Sequence, residues 1–279
     1  MKRLFRAAAF AGLLVAACST AGTNLAKQAA VESGPYLAAG DFQKAIDPFK
    51  EAFKRNPKNR GLTANYVRTV EEIRRVADRA MGRQDYDAAG RIYRILLNNY
   101  ADFKTLAPAL TFTKPYLEAS LRYCRIALVD TQARLELKAG NPAKALELSS
   151  ALLKEYPGGS GAAANFLKLV QEIKAAADKA MADKDYVRAG KWYVAILKDS
   201  ASFEGFTPTV AFARTDLTEA IAACRDVLTK SGLEEYRKGN LAKAIEVWEG
   251  LLSFDPENAE IKKAVQTAKT QQSEIIKKK

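Results

Sequence analysis

The chain contains an inexact copy of itself, displaced by one hundred residues. Residues 61–125 align with 161–225 without a gap, and 23 of those 65 positions are identical, where unrelated sequences of ordinary composition would share roughly four. The shared residues include Asn65 and Asn165, Ala80-Met81 and Ala180-Met181, Asp85-Tyr86 and Asp185-Tyr186, Pro108 and Pro208, Phe112 and Phe212, and Cys124 and Cys224. A repeat constrains the fold before any local propensity does. Each copy must build the same unit, and a unit too thin to bury its own apolar face must stack on a neighbour.

A shorter motif lies inside the long period. Gly40-Asp41-Phe42-Gln43-Lys44-Ala45-Ile46 is echoed by Gly140-Asn141-Pro142-Ala143-Lys144-Ala145-Leu146 and by Gly239-Asn240-Leu241-Ala242-Lys243-Ala244-Ile245. Proline follows each at a similar distance, as Pro57, Pro157 and Pro256. Glycine lets one helix end in a left-handed turn, Asp or Asn caps the next, and proline closes that second helix. The pattern therefore predicts helical hairpins, with helices at 26–39, 42–55, 60–83, 86–99, 115–139, 142–155, 160–183, 186–198, 215–238, 241–254 and 257–276. Alternating β-branched runs of strand character are missing, so the expected class is all-α.

These motifs resemble the tetratricopeptide repeat, whose signature sets a turn glycine ahead of A-x3-F and a proline. The likeness is clearest at Gly40, Ala45, Phe49 and Pro57, and at Gly239, Ala244, Trp248 and Pro256. Asp85-Tyr86 with Ala89 and Tyr93, and Asp185-Tyr186 with Ala189 and Tyr193, keep the small and aromatic positions without the proline. Ser149 replaces the aromatic after Gly140, and the first-helix pattern of the family is largely missing. Turns fall at 40, 84, 140, 184 and 239 rather than at a regular short interval. The resemblance implies a TPR-like α-solenoid of stacked hairpins over 26–270. Its copies are about 40–139 and 140–238, followed by a final hairpin at 215–254, a capping helix at 257–276 and a basic tail at 271–279.

At the N-terminus, Lys2, Arg3 and Arg6 precede an apolar run from Ala7 to Ala17 and then Cys18. That run would rise about 16 Å as a helix, too short for a hydrocarbon core of roughly 30 Å, so it reads as a targeting segment. Val15-Ala16-Ala17-Cys18 resembles the lipobox of bacterial lipoproteins. The resemblance implies a signal peptide over 1–17, cleavage before Cys18 and a diacylglycerol on its sulfur, with 18–25 as a tether. Ser19 after the cysteine, in place of Asp, implies transfer to the outer membrane. An ordinary secretory signal with an incidental cysteine is the alternative. Removing three cations from a net charge of +12 leaves +9 on the mature chain.

Chemistry is narrowed by one omission: the sequence has no His. Ser-His-Asp and Cys-His catalysis and imidazole metal sites are thereby excluded. Acid pairs such as Glu71-Glu72 and Glu234-Glu235 are adjacent on helices, diverge by about 100° and read as solvated faces. Gly158-Gly159-Ser160-Gly161 lacks P-loop spacing and reads as a flexible turn before a helix, or as a weak anion site at that helix start. Cys124 and Cys224 occupy equivalent positions inside long helices. They are expected to be buried free thiols, with intermolecular pairing as the alternative. No catalytic, cofactor or metal constellation emerges.

Two long connections, Ala101 to Lys114 and Ala201 to Arg214, depart most from plain hairpins. They carry Phe103, Leu106, Leu110 and Phe112 in one copy, and Phe203, Phe206, Val210 and Phe212 in the other. Either they fold back and fill the trough between hairpins, or Phe103, Phe112, Phe203, Phe206 and Phe212 are aromatic anchors for a partner. Export puts nucleic acid out of reach of the basic surface, leaving anionic lipid, acidic polymer or protein. The tail bearing Lys262, Lys263, Lys269 and Lys277-Lys278-Lys279 reads as a solvated helix end. The leading functional expectation is a non-enzymatic scaffold, lipid-anchored at the periplasmic face of the outer membrane, that presents its first helices to an envelope protein. A binder of acidic envelope polysaccharide acting through 101–114 and 201–214 is the second, and an enzyme working through carboxylate or lysine the third.

Overall fold

A computed structural model describes residues 22–156, 160–202 and 210–277; Cys18, Phe203 and Phe206 lie outside the described residues, as do Pro157 to Gly159. The described residues are all-helical, with eleven α-helices and no strand. They are α1 (Gly22–Ala39), α2 (Phe42–Arg55), α3 (Arg60–Gly82), α4 (Tyr86–Asn98), α5 (Lys114–Lys138), α6 (Pro142–Glu155), α7 (Ser160–Ala182), α8 (Tyr186–Lys198), α9 (Arg214–Arg237), α10 (Leu241–Leu252) and α11 (Ala259–Lys277). The chain divides into two compact units at Leu128 and Val129, inside α5. In unit 1, α1 packs on α2, both pack on α3, and α3 packs on α4. In unit 2 the succession runs α6 on α7, α7 on α8, α8 on α9, α9 on α10 and α10 on α11. Each unit is thus a helical, repeat-like arrangement of near neighbours.

The turns explain why the helices stop where they do. Asp41 N–H donates to Tyr36 C=O at 2.9 Å and Gly40 N–H to Leu37 C=O at 3.2 Å, the paired bonds of a Schellman end. The same pair recurs from Asn141 and Gly140 to Glu136 and Leu137, and from Asn240 and Gly239 to Glu235 and Tyr236. The three glycines take φ of 79°, 84° and 80°. Gln84 and Lys184 close α3 and α7 in the same way at φ 62° and 63°, where a Cβ is strained.

Helix capping differs from the sequence expectation. Asp41, Asn141 and Asn240 give no side-chain cap to the helices they precede. Local charges draw them away: Asp41 pairs with Lys44 at 2.8 Å, and Asn141 and Asn240 donate to Glu136 and Glu235. Caps are instead made by Asn59 to Leu62 N–H, Asp85 to Ala88 N–H and Asp185 to Arg188 N–H. At the ends, the described part of α1 starts at Gly22, ahead of the expected 26. The helix expected over 257–276 runs as α11 to Lys277, so the described start of the basic tail is helical.

Between the helices, small and aromatic residues interlock. Ala45 and Ala89 are fully buried beside Phe49 and Tyr93, each four residues on and on the same face. Phe49 stacks on Tyr66 at 5.5 Å and Phe53 meets the same ring edge-on at 6.1 Å. In unit 2 a Cβ at Gly232 would fall 2.2 Å from Trp248 Nε1, so Trp248 fills the space that glycine leaves. Cys124 and Cys224 are buried, and no disulfide joins them within the chain. Burial pushes both thiols up, Cys224 to about 11, which makes them poor nucleophiles. The two left-handed residues supply a direct test: Gln84→Gly or Lys184→Gly should raise stability by about 0.5–1 kcal/mol, and Gly140→Ala should lower it by about 1 kcal/mol, read from urea midpoints.

Candidate functional site

Unit 1 resolves the question of its long connection. Phe103 is 0% exposed, and Leu106 and Phe112 are also buried. The Phe103 ring meets Tyr66 edge-on at 5.8 Å and Tyr100 at 6.4 Å, and Phe112 meets Tyr100 at 6.4 Å. The connection therefore folds back into the core, and Phe103 and Phe112 are not exposed partner anchors. Burying each such ring contributes roughly 1.5–3 kcal/mol, which an exposed loop would forgo. In unit 2, Phe212 is half-buried beneath Lys174, whose Nζ lies 5.7 Å from the ring centre.

What holds the first connection is a carboxylate expected to be solvated. Glu71 on α3 is 5% exposed and accepts from Thr111 N–H at 2.5 Å and Thr111 Oγ1–H at 2.7 Å. Arg74 adds an ion pair at 3.1 Å. Burial pushes the Glu71 carboxyl up, but the Thr111 backbone and hydroxyl, with Arg74, outweigh it and hold the group below its ordinary value. Glu72, one residue on, pairs with Arg75 and Arg79 at the more exposed side. The expectation of two solvated acids thus fails for Glu71, because a step of about 100° turns one toward the core and the other outward.

Arg74 carries the network onward to Asp78. The Asp78 carboxylate also accepts from Tyr93 OH on α4 at 2.6 Å and from Tyr116 OH on α5 at 3.0 Å. Thr113 Oγ1 accepts from Tyr116 N–H at 3.3 Å, placing the first turn of α5. Burial, then the bond to Asp78, pushes the Tyr93 phenol up. One chain of polar contacts therefore runs from the connection through α3 to α4 and α5.

Its outer end is aromatic and exposed. Tyr116 is 37% and Tyr123 55% exposed, and a spacing of seven residues puts them on one face of α5. Tyr116 lies edge-on to Tyr93 at 6.4 Å, and Tyr123 edge-on to Tyr86 at 6.0 Å. Tyrosines of this kind, wet at one end and rigidly held at the other, suit a protein interface. Unit 2 retains Asp178 accepting from Tyr193 OH at 2.7 Å, with Lys174 paired to Asp178 at 2.7 Å. Asp216 stands where Tyr116 would, accepting from Ala213 N–H at the start of α9, and Ala223 stands where Tyr123 would. Gln171 and Ala211 replace Glu71 and Thr111, and both are exposed. A signal that could have marked the unit 1 surface lies in these departures between copies, since the buried Phe103, Phe112, Leu117 and Cys124 are kept while Tyr116 and Tyr123 are not.

Two other features bear on chemistry. A groove of about 860 Å3 runs between α1 and α2, lined by Leu25, Val31 and Tyr36 with Lys44, Asp47, Glu51 and Arg55 among others. Among the described residues, no group of three or more His, Cys, Asp or Glu is placed to hold a metal ion, and no helix is long and apolar enough to cross a membrane.

No protein-family model matches the chain, and no curated protein matches it. A solved structure described as a circular tandem repeat protein with novel repeat topology and enhanced subunit contact surfaces aligns over 92% of this chain at 15% identity. The chain spans 63% of that protein's length, and a TM-score of 0.22 carries no argument about fold or role.

The Glu71 tether has a pH signature. Because its folded-state pKa is depressed, it stabilises above the ordinary Glu value and the contribution is lost as pH falls through the folded value. Glu71→Gln should lower stability at neutral pH by about 1.5–3 kcal/mol, with the gap to wild type closing in the acid range below about pH 4. Unfolding midpoints across that range would check it.

Proposed function

We propose that this protein is a non-enzymatic scaffold of tetratricopeptide-like hairpins, built by a duplication of period one hundred and anchored through lipidated Cys18 at the periplasmic face of the outer membrane. Its partner is an envelope protein. The observation that carries this reading is the exposed pair Tyr116 and Tyr123 on one face of α5, Tyr116 bonded to Asp78 and Tyr123 set edge-on to Tyr86. The bond to Asp78 leaves Tyr116 less side-chain freedom to lose on binding, which favours affinity. A polymer binder working through the aromatic connections is less well supported, since Phe103 and Phe112 are committed to the core.

The lipobox resemblance of Val15-Ala16-Ala17-Cys18 supports the anchor. Metabolic labelling with an acyl probe should mark the native chain and leave Cys18→Ala unlabelled; labelling that persists in the variant contradicts the anchor. Crosslinked envelopes test the surface. A partner recovered reproducibly with the native chain should fall at least tenfold with Tyr116→Ala plus Tyr123→Ala, as for removal of one interface hot spot of about 2 kcal/mol. Equal recovery from that double variant, folded and still anchored, contradicts the assignment of the tyrosines.

A further inference from the structure

One end of unit 1 has a charge excess that the scaffold reading leaves unused. The start of α1, the α2–α3 turn and the first residues of the α4–α5 connection meet there. Asn65 Nδ2 donates to Ala26 C=O at 3.4 Å, Arg55 lines the same groove as Leu25 and Gln28, and Phe103 rests on Tyr66. Seven cations sit at this end: Lys27, Lys50, Lys54, Arg55, Lys58, Arg60 and Lys104. Four acids lie among them: Glu51 pairs with Lys54 at 2.9 Å and Asp102 with Lys50 at 2.6 Å, while Glu32 and Asp47 line the same groove as Arg55 and accept from Gln28 and Gln43. Lys27, Arg55, Lys58, Arg60 and Lys104 are exposed, and among the described residues none of them has an ion-pair partner. Arg55 lies close enough to Glu51 to help hold that carboxyl below its ordinary value, yet Lys54 is the group bonded to it.

Position makes this charge informative. α1 begins at Gly22, four residues after Cys18, and four residues span at most about 14 Å. An acylated Cys18 would bring the start of α1, and the basic turn beside it, to within one or two Debye lengths of the headgroups, each about 8 Å at physiological salt. We infer that this end of unit 1, centred on Arg55, Lys58 and Arg60 with Lys27 and Lys104, is a docking surface for anionic phospholipid headgroups, which sets unit 1 upright on the membrane that holds the anchor. This rests on the lipid-anchored reading for its biological setting, but the electrostatic surface is a property of the folded chain alone. The several acyl chains implied at Cys18 already anchor durably, so the basic patch adds contact between the folded unit and the surface, about 1 kcal/mol per Lys or Arg near it.

The test removes the acyl chain. The mature-length chain, residues 18–279 with Cys18→Ser, is mixed with vesicles of phosphatidylglycerol and phosphatidylcholine at about 1:3, or of phosphatidylcholine alone, and sedimented. Each basic residue at an anionic surface changes partition by about fivefold. Binding should require phosphatidylglycerol, fall with added salt, and drop at least tenfold in Arg55→Glu, Lys58→Glu, Arg60→Glu. A control of equal charge change elsewhere, Arg83→Glu, Lys191→Glu, Lys263→Glu, should retain it. Arg55→Gln, Lys58→Gln, Arg60→Gln, with its circular dichroism melt compared to wild type, guards against misfolding. Loss of equal size in both charge-reversal variants, no preference for phosphatidylglycerol, or equal capture by soluble polyglutamate would overturn the inference. Failure of Cys18 to be acylated leaves this measurement unaffected, so the two claims can fail separately.

Discussion

The edge of the Phe103 ring against Tyr66, 5.8 Å between centres, decides what unit 1 can offer to solvent. α2 contributes Phe49 and Phe53 to the same Tyr66 ring, so a residue from a connection completes an aromatic cluster that two helices leave open. Phe166 stands at the matching position in the second copy, so the aromatic body of Tyr66, rather than its hydroxyl, is what the packing uses. Once the connection is drawn inward, its backbone needs a fixed exit, and Glu71 supplies it through both Thr111 bonds. A buried carboxylate is costly unless its lone pairs are filled, and here three donors fill them. The polar network is thus a consequence of the apolar insertion, and the exposed Tyr116 stands on its far end.

Much of the architecture is readable from the chain because its signals are local. A glycine followed by Asp or Asn ends one helix and begins another, and the helix bounds fall within a few residues of those signals. Where the local reading fails, a competing partner is the cause. Asp41 has the right identity for a cap, but Lys44 one turn later takes its carboxylate. Glu71 and Glu72 look alike in sequence, and the partner that fills the buried one, Thr111, lies forty residues away. That pairing left a trace, because Glu71 and Thr111 are both replaced in the second copy, by Gln171 and Ala211.

The candidate surface was harder to read for the opposite reason. Duplicated aromatics such as Phe103 and Phe112 draw notice, yet duplication preserves what the core needs. Tyr116 and Tyr123 are not duplicated, and helical spacing alone cannot say whether such residues are buried or exposed. Function in this chain is therefore best sought where the copies diverge. The same holds for the basic α2–α3 turn, whose Arg55, Lys58 and Arg60 are matched by Glu155, Gly158 and Ser160 one hundred residues on. Divergence of that kind fits a unit that faces a membrane through one end and a protein partner through α5.

Amide hydrogen exchange over residues 99–113 tests the inward connection most directly. Backbone hydrogen bonds such as Leu106 N–H to Phe103 C=O at 2.8 Å and Thr111 N–H to Glu71 should exchange only with the cooperative opening of α3, giving protection comparable to that helix. Exchange of this segment at the rate of an unstructured loop, while α3 stays protected, would mean that Phe103 is not part of the core and that the connection is open to solvent.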